Sequence, residues 1–259
     1  MLWAAERETV RDSGRRIVLI TGASRGIGAE TAKVLAADGD HVIVNYREKR
    51  KRAHAIAEEI IAAGGSASTA GADIADADST AALLDGVVAE FGRLDVLVLN
   101  ASGGLERNAG PDYAMALNRD AQVRLVRQAL PHLPAGGRIV FVTSHQAHFH
   151  GRKPVPADYE PIAQSKRAGE DALRAMVPEL ADRGIGLNVV SGDMIDGTII
   201  VRLLERRNPD AVSARRDHGA LPTIEEFAAV VAEAANAATE SGRTFYVGGQ
   251  DYLAADVRA

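Results

Sequence analysis

The first group of residues able to do chemistry is the run Thr21-Gly22-Ala23-Ser24-Arg25-Gly26-Ile27-Gly28. Gly22 permits a tight turn, Gly26 lets backbone approach a pyrophosphate, and Gly28 allows a helix to pack closely. Backbone N–H groups at the start of that helix then face phosphate oxygens. Glycine spacing alone is a weak signal; here a β-branched run precedes it and a helical pattern follows, which is the context that gives it meaning. The loop, with Ser24, Arg25 and Ile27 in it, is expected to bind a dinucleotide. At the end of the next apolar run stands Asn45-Tyr46-Arg47. An Asp or Glu there would bond the ribose 2′-hydroxyl of NAD and repel a 2′-phosphate. Arg25 and Arg47 can instead flank a 2′-phosphate with charge-assisted hydrogen bonds, which favours NADP(H) over NAD(H). The plainer reading of Arg47 is that it opens the solvated run 47–52, in which every residue but Glu48 is basic. Further along, His145, His148 and His150 cluster, and histidine is a natural proton donor near neutral pH. Histidines satisfied in the core or on the surface are the plainer alternative. Arg202, Arg206, Arg207, Arg215 and Arg216 suit either an acidic substrate or, more simply, a solvated charged helix.

Something must position these groups. Short β-branched runs alternate with alanine-rich segments of helical period, the pattern of a parallel sheet covered on both faces. Strands are expected over 16–20, 41–44, 68–70, 94–99, 138–142, 186–190 and 244–247. Helices are expected from the glycine loop to Leu35 and over 48–61, 113–130, 162–181 and 224–238. Seven strands with crossover helices make one doubly wound α/β (Rossmann) sheet in a single domain. Residues 16–259 are expected to form that domain, and residues 1–15 a flexible tail in which Trp3 could dock.

The loop Thr21, Gly22, Gly26, Gly28 matches the TGxxxGxG motif, and with it the chain resembles the short-chain dehydrogenase/reductase family from Ile17 to Gly249. Asp73-Ile74 matches the acidic site that meets adenine. Asn100-Ala101-Ser102-Gly103 is similar to NNAG with two substitutions, and Val247-Gly248-Gly249 resembles a closing VDGG without the acid. The resemblance implies a carbonyl or alcohol substrate and hydride transfer. Ser144 would polarise the carbonyl, Asn118 would route protons through water, and Lys166 would tune the acid and hold the nicotinamide ribose. Thr198 would touch the carboxamide. It also implies a homodimer or homotetramer assembled through the helix that carries Ala163, Ser165, Ala168 and Gly169.

One departure cuts into the chemistry. The family has Tyr four residues before the lysine, and here Ile162 stands there. Tyr159 lies seven residues before Lys166, two helical turns, so its azimuth nearly matches if the helix reaches it. Pro161 suits a first helical turn, which would leave Tyr159 just outside. Three readings stay open: Tyr159 as a displaced proton donor, one of the histidines in its place, or no acid at all. The last makes the chain a non-catalytic NADP(H)-binding sensor or regulatory protein. A lyase or isomerase that uses the dinucleotide structurally is a further variant.

Bulk properties bound the rest. The chain has 259 residues, 46% of them hydrophobic, enough for one sizeable core. A net charge of -5 argues against nucleic-acid or anionic-membrane partners. With no cysteine, disulfides, zinc–thiolate sites and thiol nucleophiles are excluded, and no metal is expected. Residues 1–15 lack the apolar core of a signal peptide, and no apolar run approaches the roughly 20 residues of a membrane span. A cytoplasmic location is the expectation.

Overall fold

Three neighbouring strands, β1 (Ile17–Ile20), β2 (His41–Tyr46) and β4 (Val96–Leu99), are apolar almost throughout, and only Tyr46 among them escapes full burial. Continuous apolar runs of this kind belong to parallel strands covered on both faces. The computed structural model describes residues 14–104, 112–237 and 241–254. It is a single α/β domain around one parallel sheet, completed by β3 (Ser66–Gly71), β5 (Arg138–Ser144), β6 (Gly186–Gly192) and β7 (Thr244–Val247). The order is β3-β2-β1-β4-β5-β6-β7. Strand order reverses between β1 and β4, so the carboxyl ends of the strands open a crevice there, the usual place for a ligand in such a sheet.

Helices α1 (Gly26–Ala37), α2 (Arg50–Ala62) and a late helix, Ile224–Asn236, cover one face. Leu35, Ile60, Phe227 and Val231 meet Val18, Val42 and Val190 there. The other face is covered by α3 (Ala77–Phe91), α4 and α6 (Glu160–Ala175), where Leu84, Leu125 and Leu173 meet Leu19, Leu97 and Phe141. Helix α4 has three parts: Tyr113–Met115, a π turn Ala116–Asp120, and Ala121–Ala129. A one-turn α5 (His145–His148) follows β5 directly. Beyond α6 come α7 (Val177–Asp182), α8 (Ile199–Arg207), α9 (Pro209–Asp217), α10 (the late helix above) and α11 (Gln250–Leu253).

The seven strands fall within about two residues of where the sequence puts them: β2, β5 and β6 each run two residues further, β3 starts two earlier and β4 two later, and the extension of β5 makes Ser144 the last residue of its strand. Helix α3 lies outside the expected helices, although its signals are present in the sequence: the Asp76 side chain accepts from Ser79 N at 2.8 Å and Gly92 closes it at φ 79°. The expected helix over 162–181 is two helices. It starts earlier, with Pro161 in its first turn, and breaks before Pro178, which has no N–H to continue the ladder. Helix α10 ends at Asn236, and the expected end at residue 238 lies outside the described residues, as do Trp3 and residues 1–13 of the expected tail. Among the described residues no helix is long and apolar enough to cross a membrane.

The polar edge strand β3 has a specific tie. His41 on β2 reaches Ser66 Oγ from Nδ1 at 2.8 Å and Ser68 Oγ from Nε2 at 3.0 Å. Burial holds this ring neutral, with its pKa lowered to about 4; Arg15 adds to the shift.

Candidate functional site

Two of the loop glycines need left-handed backbone, Gly22 at φ 65° and Gly26 at φ 56°. Gly28 is required for a different reason. A Cβ there would lie 2.5 Å from Asn100 Nδ2 and 2.9 Å from Ala23 Cα, so α1 could not sit against the end of β4. A Cβ on Gly26 would meet nothing within 4 Å, which leaves its backbone open to a ligand. Two asparagines hold the loop. Gly22 N donates to Asn45 Oδ1 at 3.2 Å, while Asn45 Nδ2 donates to the carbonyls of Ala70 and Ala72. Asn100 Nδ2 donates to Thr21 O at 2.9 Å, and the backbone N–H groups of Asn100 and Ala101 both donate to Thr21 Oγ1 at 3.0 Å. From sequence Asn45 registered only as the lack of an acid; in the fold it is a strut. Nothing in its spacing announces that role.

The charged rim differs from expectation in one respect. Arg47 Nη1 donates to the Tyr113 hydroxyl at 3.0 Å and Nε pairs with Glu48 at 3.2 Å, so it faces the start of α4. Exposed Arg25 shares a shallow depression with Ser24, Gly26, Lys33 and Arg52. Arg52, read from sequence as part of a solvated run, is therefore a neighbour of the glycine loop. Asp73 Oδ1 accepts from Ala75 N at 2.9 Å, Ile74 is buried, and Ser102 is exposed beyond Asn100 and Ala101. Thr198 caps α8: its hydroxyl donates to Ile195 O at 2.8 Å and accepts from Val201 N at 3.4 Å.

At the end of β5, Ser144 Oγ accepts from Ala147 N at 3.4 Å and lies 3.3 Å from the Tyr159 hydroxyl. That is long for a pair of hydroxyls, the kind of spacing that tightens when a third oxygen joins. Tyr159 is the residue just before α6, outside the helix as Pro161 requires. It is 6% exposed and packs with Ala147, Ile162 and Ala163. Burial raises its pKa, and the contact with Ser144 acts the other way. Ile162 fills the space beside Gly104 and Ala114, where a Cβ on Gly104 would come within 3.0 Å of its Cγ1. Lys166, 7% exposed, has its pKa lowered to about 8 by burial, with Glu170 one turn later opposing the shift. Asn118 sits in the π turn, a local widening that often marks functional positions. Its Nδ2 donates to Gly103 O at 2.9 Å and Ser165 Oγ at 3.0 Å, linking α4, α6 and the loop after β4.

The histidines are engaged elsewhere. His145 spans Ser191 Oγ (2.8 Å) and Gly248 O (3.1 Å), His148 spans Glu170 and the Tyr246 hydroxyl (3.2 Å), and His150 meets Glu160 at 2.6 Å. Both ring nitrogens of His145 and His148 are thus committed away from Ser144. Nor are the five arginines one solvated set. Arg215 is a half-buried strut between Asp193 and Asp251, its guanidinium 4.9 Å above the Tyr252 ring, whereas Arg216 pairs at the surface with Glu205 and Asp196. Asp193 is buried and needs a counter-charge, which draws Arg215 inward.

A profile of the short chain dehydrogenases matches residues 16–208. The chain is 36% identical over 188 residues to 1-cyclohexenylcarbonyl-CoA reductase of Streptomyces collinus, an alignment covering 70% of this chain and 65% of that enzyme. It is 35% identical over 182 residues to a versicolorin reductase of Emericella nidulans, covering 68% of this chain and 67% of the other. Among solved structures, angucycline C-6 ketoreductase LanV with bound NADP superposes with a TM-score of 0.78 at 30% identity, covering 92% of this chain and 96% of that one. The match takes in the glycine loop, the strand that ends at Ser144 and the helix that carries Lys166, and by it this chain belongs to the short chain dehydrogenases, a family of oxidoreductases.

Proposed function

We propose that the chain is an NADP(H)-dependent oxidoreductase that moves hydride between the nicotinamide and the carbon of a small carbonyl or alcohol, with Tyr159 as a displaced proton donor. The observation that carries this reading is the 3.3 Å approach of the Ser144 and Tyr159 hydroxyls. Buried Lys166 stands further along the helix that Tyr159 opens. The relatives are reductases and LanV binds NADP, which supports both the reaction and the cofactor. The open Gly26 backbone and the left-handed turns fit a pyrophosphate. The bound cofactor supplies the hydride. Around it, Gly22, Ser24, Gly26, Ile27 and Gly28 receive the phosphates, and Arg25 and Arg47 the 2′-phosphate. Asp73 and Ile74 meet the adenine. Asn100, Ala101, Ser102, Lys166 and Thr198 line the ribose and nicotinamide end. Ser144 polarises the carbonyl oxygen, Tyr159 gives that oxygen its phenolic hydrogen, and Asn118 holds the path by which the phenol is reprotonated. Residues 16–259 act as one unit in a cytoplasmic homo-oligomer.

The test is NADPH oxidation by the purified protein over a panel of ketones, aldehydes and quinones, with NADPH binding measured in parallel. Turnover that disappears in Tyr159→Phe while binding persists supports the assignment; turnover untouched by that change removes Tyr159 from it. Clean binding without any turnover makes the chain a sensor instead, with Ile162 as the reason.

A further inference from the structure

The buried carboxylate of Glu170 has no task in the scheme above, yet it is fully inaccessible and held by three short bonds. His148 Nδ1 lies 2.8 and 2.9 Å from its two oxygens, and Arg174 Nε donates to it at 2.8 Å. Burial alone would raise this carboxyl's pKa; the bonds from His148 and Arg174 outweigh burial and bring it below the usual range, so the group stays charged. A buried ion pair is a poor stabiliser compared with apolar packing, and its best-attested use is to fix register.

The register it fixes can be read from the helices. Helix α5 is a single turn with Ser144 capping its near end and His148 at its far end. Helix α6 starts beside Tyr159 and carries Arg167 and Glu170 just beyond Lys166. Arg167 Nη1 donates to the His148 carbonyl at 2.7 Å while Glu170 grips the His148 ring. One rigid helix therefore presents Tyr159 to the near end of α5 and clamps its far end. Arg174 and Tyr246 extend the clamp to the edge of the sheet: Arg174 Nη1 and Nη2 donate to Gly242 O (2.7 Å) and Thr244 Oγ1 (2.6 Å), and the Tyr246 hydroxyl meets His148 Nε2.

We propose that His148, Glu170 and Arg167 form a joint whose role is to hold Ser144 against Tyr159, making them positioning residues for the proton-donating pair. This rests on the reductase reading for its catalytic consequence. The experiment uses His148→Gln, Glu170→Gln and Arg167→Gln. The last removes a bond to backbone and an exposed ion pair with Asp171 from a partly exposed side chain, so it serves if the buried variants fail to fold. Three quantities are measured: NADPH affinity, kcat and KM alone and combined with Ser144→Ala, and the Tyr159 titration, isolated by ultraviolet difference against Tyr159→Phe. Misplacing the pair is expected to lower kcat by ~10- to 100-fold with NADPH affinity unchanged. In the Ser144→Ala background the same substitutions should cost less than about twofold more, because their effect runs through Ser144. The Tyr159 phenol should titrate closer to free tyrosine as water reaches it. Losses that multiply in the double variants, or a phenol titration that does not move, overturn the joint. If the wild type turns over nothing but the titration shifts, the joint stands and the reductase reading falls.

Discussion

The two sides of the crevice are built by different means. Around β1, β2 and β4 the loop is positioned by uncharged groups, the amides of Asn45 and Asn100 and the hydroxyl of Thr21, all bonded to backbone. Around β5, β6 and β7 the struts are ionic or titratable: His148 with Glu170, Arg174 with Glu170, Arg215 with Asp193. Backbone ties hold one shape and are indifferent to pH. Charged struts span longer gaps and depend on both partners, so a single substitution strands the other charge in the core.

That contrast can be broken at several points. The largest effect is expected for Tyr159→Phe, a ~100- to 10,000-fold loss of kcat with NADPH affinity retained, read by steady-state kinetics and a binding titration. Next comes a titratable strut on the other side, away from the loop itself. His41 is neutral in the fold and takes a proton on unfolding, so its contribution is complete above pH 6.5 and drains away as pH falls toward 4. The total is about 3 kcal/mol, visible as a fall in the urea midpoint that His41→Gln should flatten. Gly28→Ala drives a Cβ into Asn100 and Ala23 and should cost ~1–3 kcal/mol of stability along with most NADPH affinity; a variant that binds normally would show that the loop yields more than its close contacts allow. Arg25→Glu is the mildest, weakening NADPH by ~10-fold and leaving NADH nearly unchanged in paired affinity measurements. If both weaken equally, Arg25 does not read the 2′-phosphate.

The same contrast explains what could be read in advance. The strand positions, the glycine loop and the place of Ser144 follow from alternation and spacing, because the groups concerned are near neighbours in the chain or repeat with a fixed period. Tyr159 was legible as a candidate, and Pro161 correctly put it outside the helix, but its distance from Ser144 depends on how residues 145–158 fold. The joint was not legible at all: His148 and Glu170 are 22 residues apart with no periodic relation. Arg215 and Asp193 are a second case, where a run of arginines gave no sign of which one was internal. Asn45 shows the limit on the other side, since a short amide offers no charge or pattern to betray a structural bond to Gly22.

The contact between Ser144 and Tyr159 has a consequence for the counting of hydrogens. Ser144 Oγ already accepts from Ala147 N–H, and the two hydroxyls carry two hydrogens between them with one contact to share. Whichever donates to the other, one hydrogen is left pointing outward, so an arriving carbonyl oxygen receives the same offer in either state. Removing one hydroxyl still leaves a hydrogen to present. Docking of a carbonyl is thus redundant across the pair, whereas delivery of a proton is not, because a phenol is a far stronger acid than the serine alcohol. Ser144→Ala and Tyr159→Phe should each leave KM nearly unchanged, and only their combination should raise it sharply.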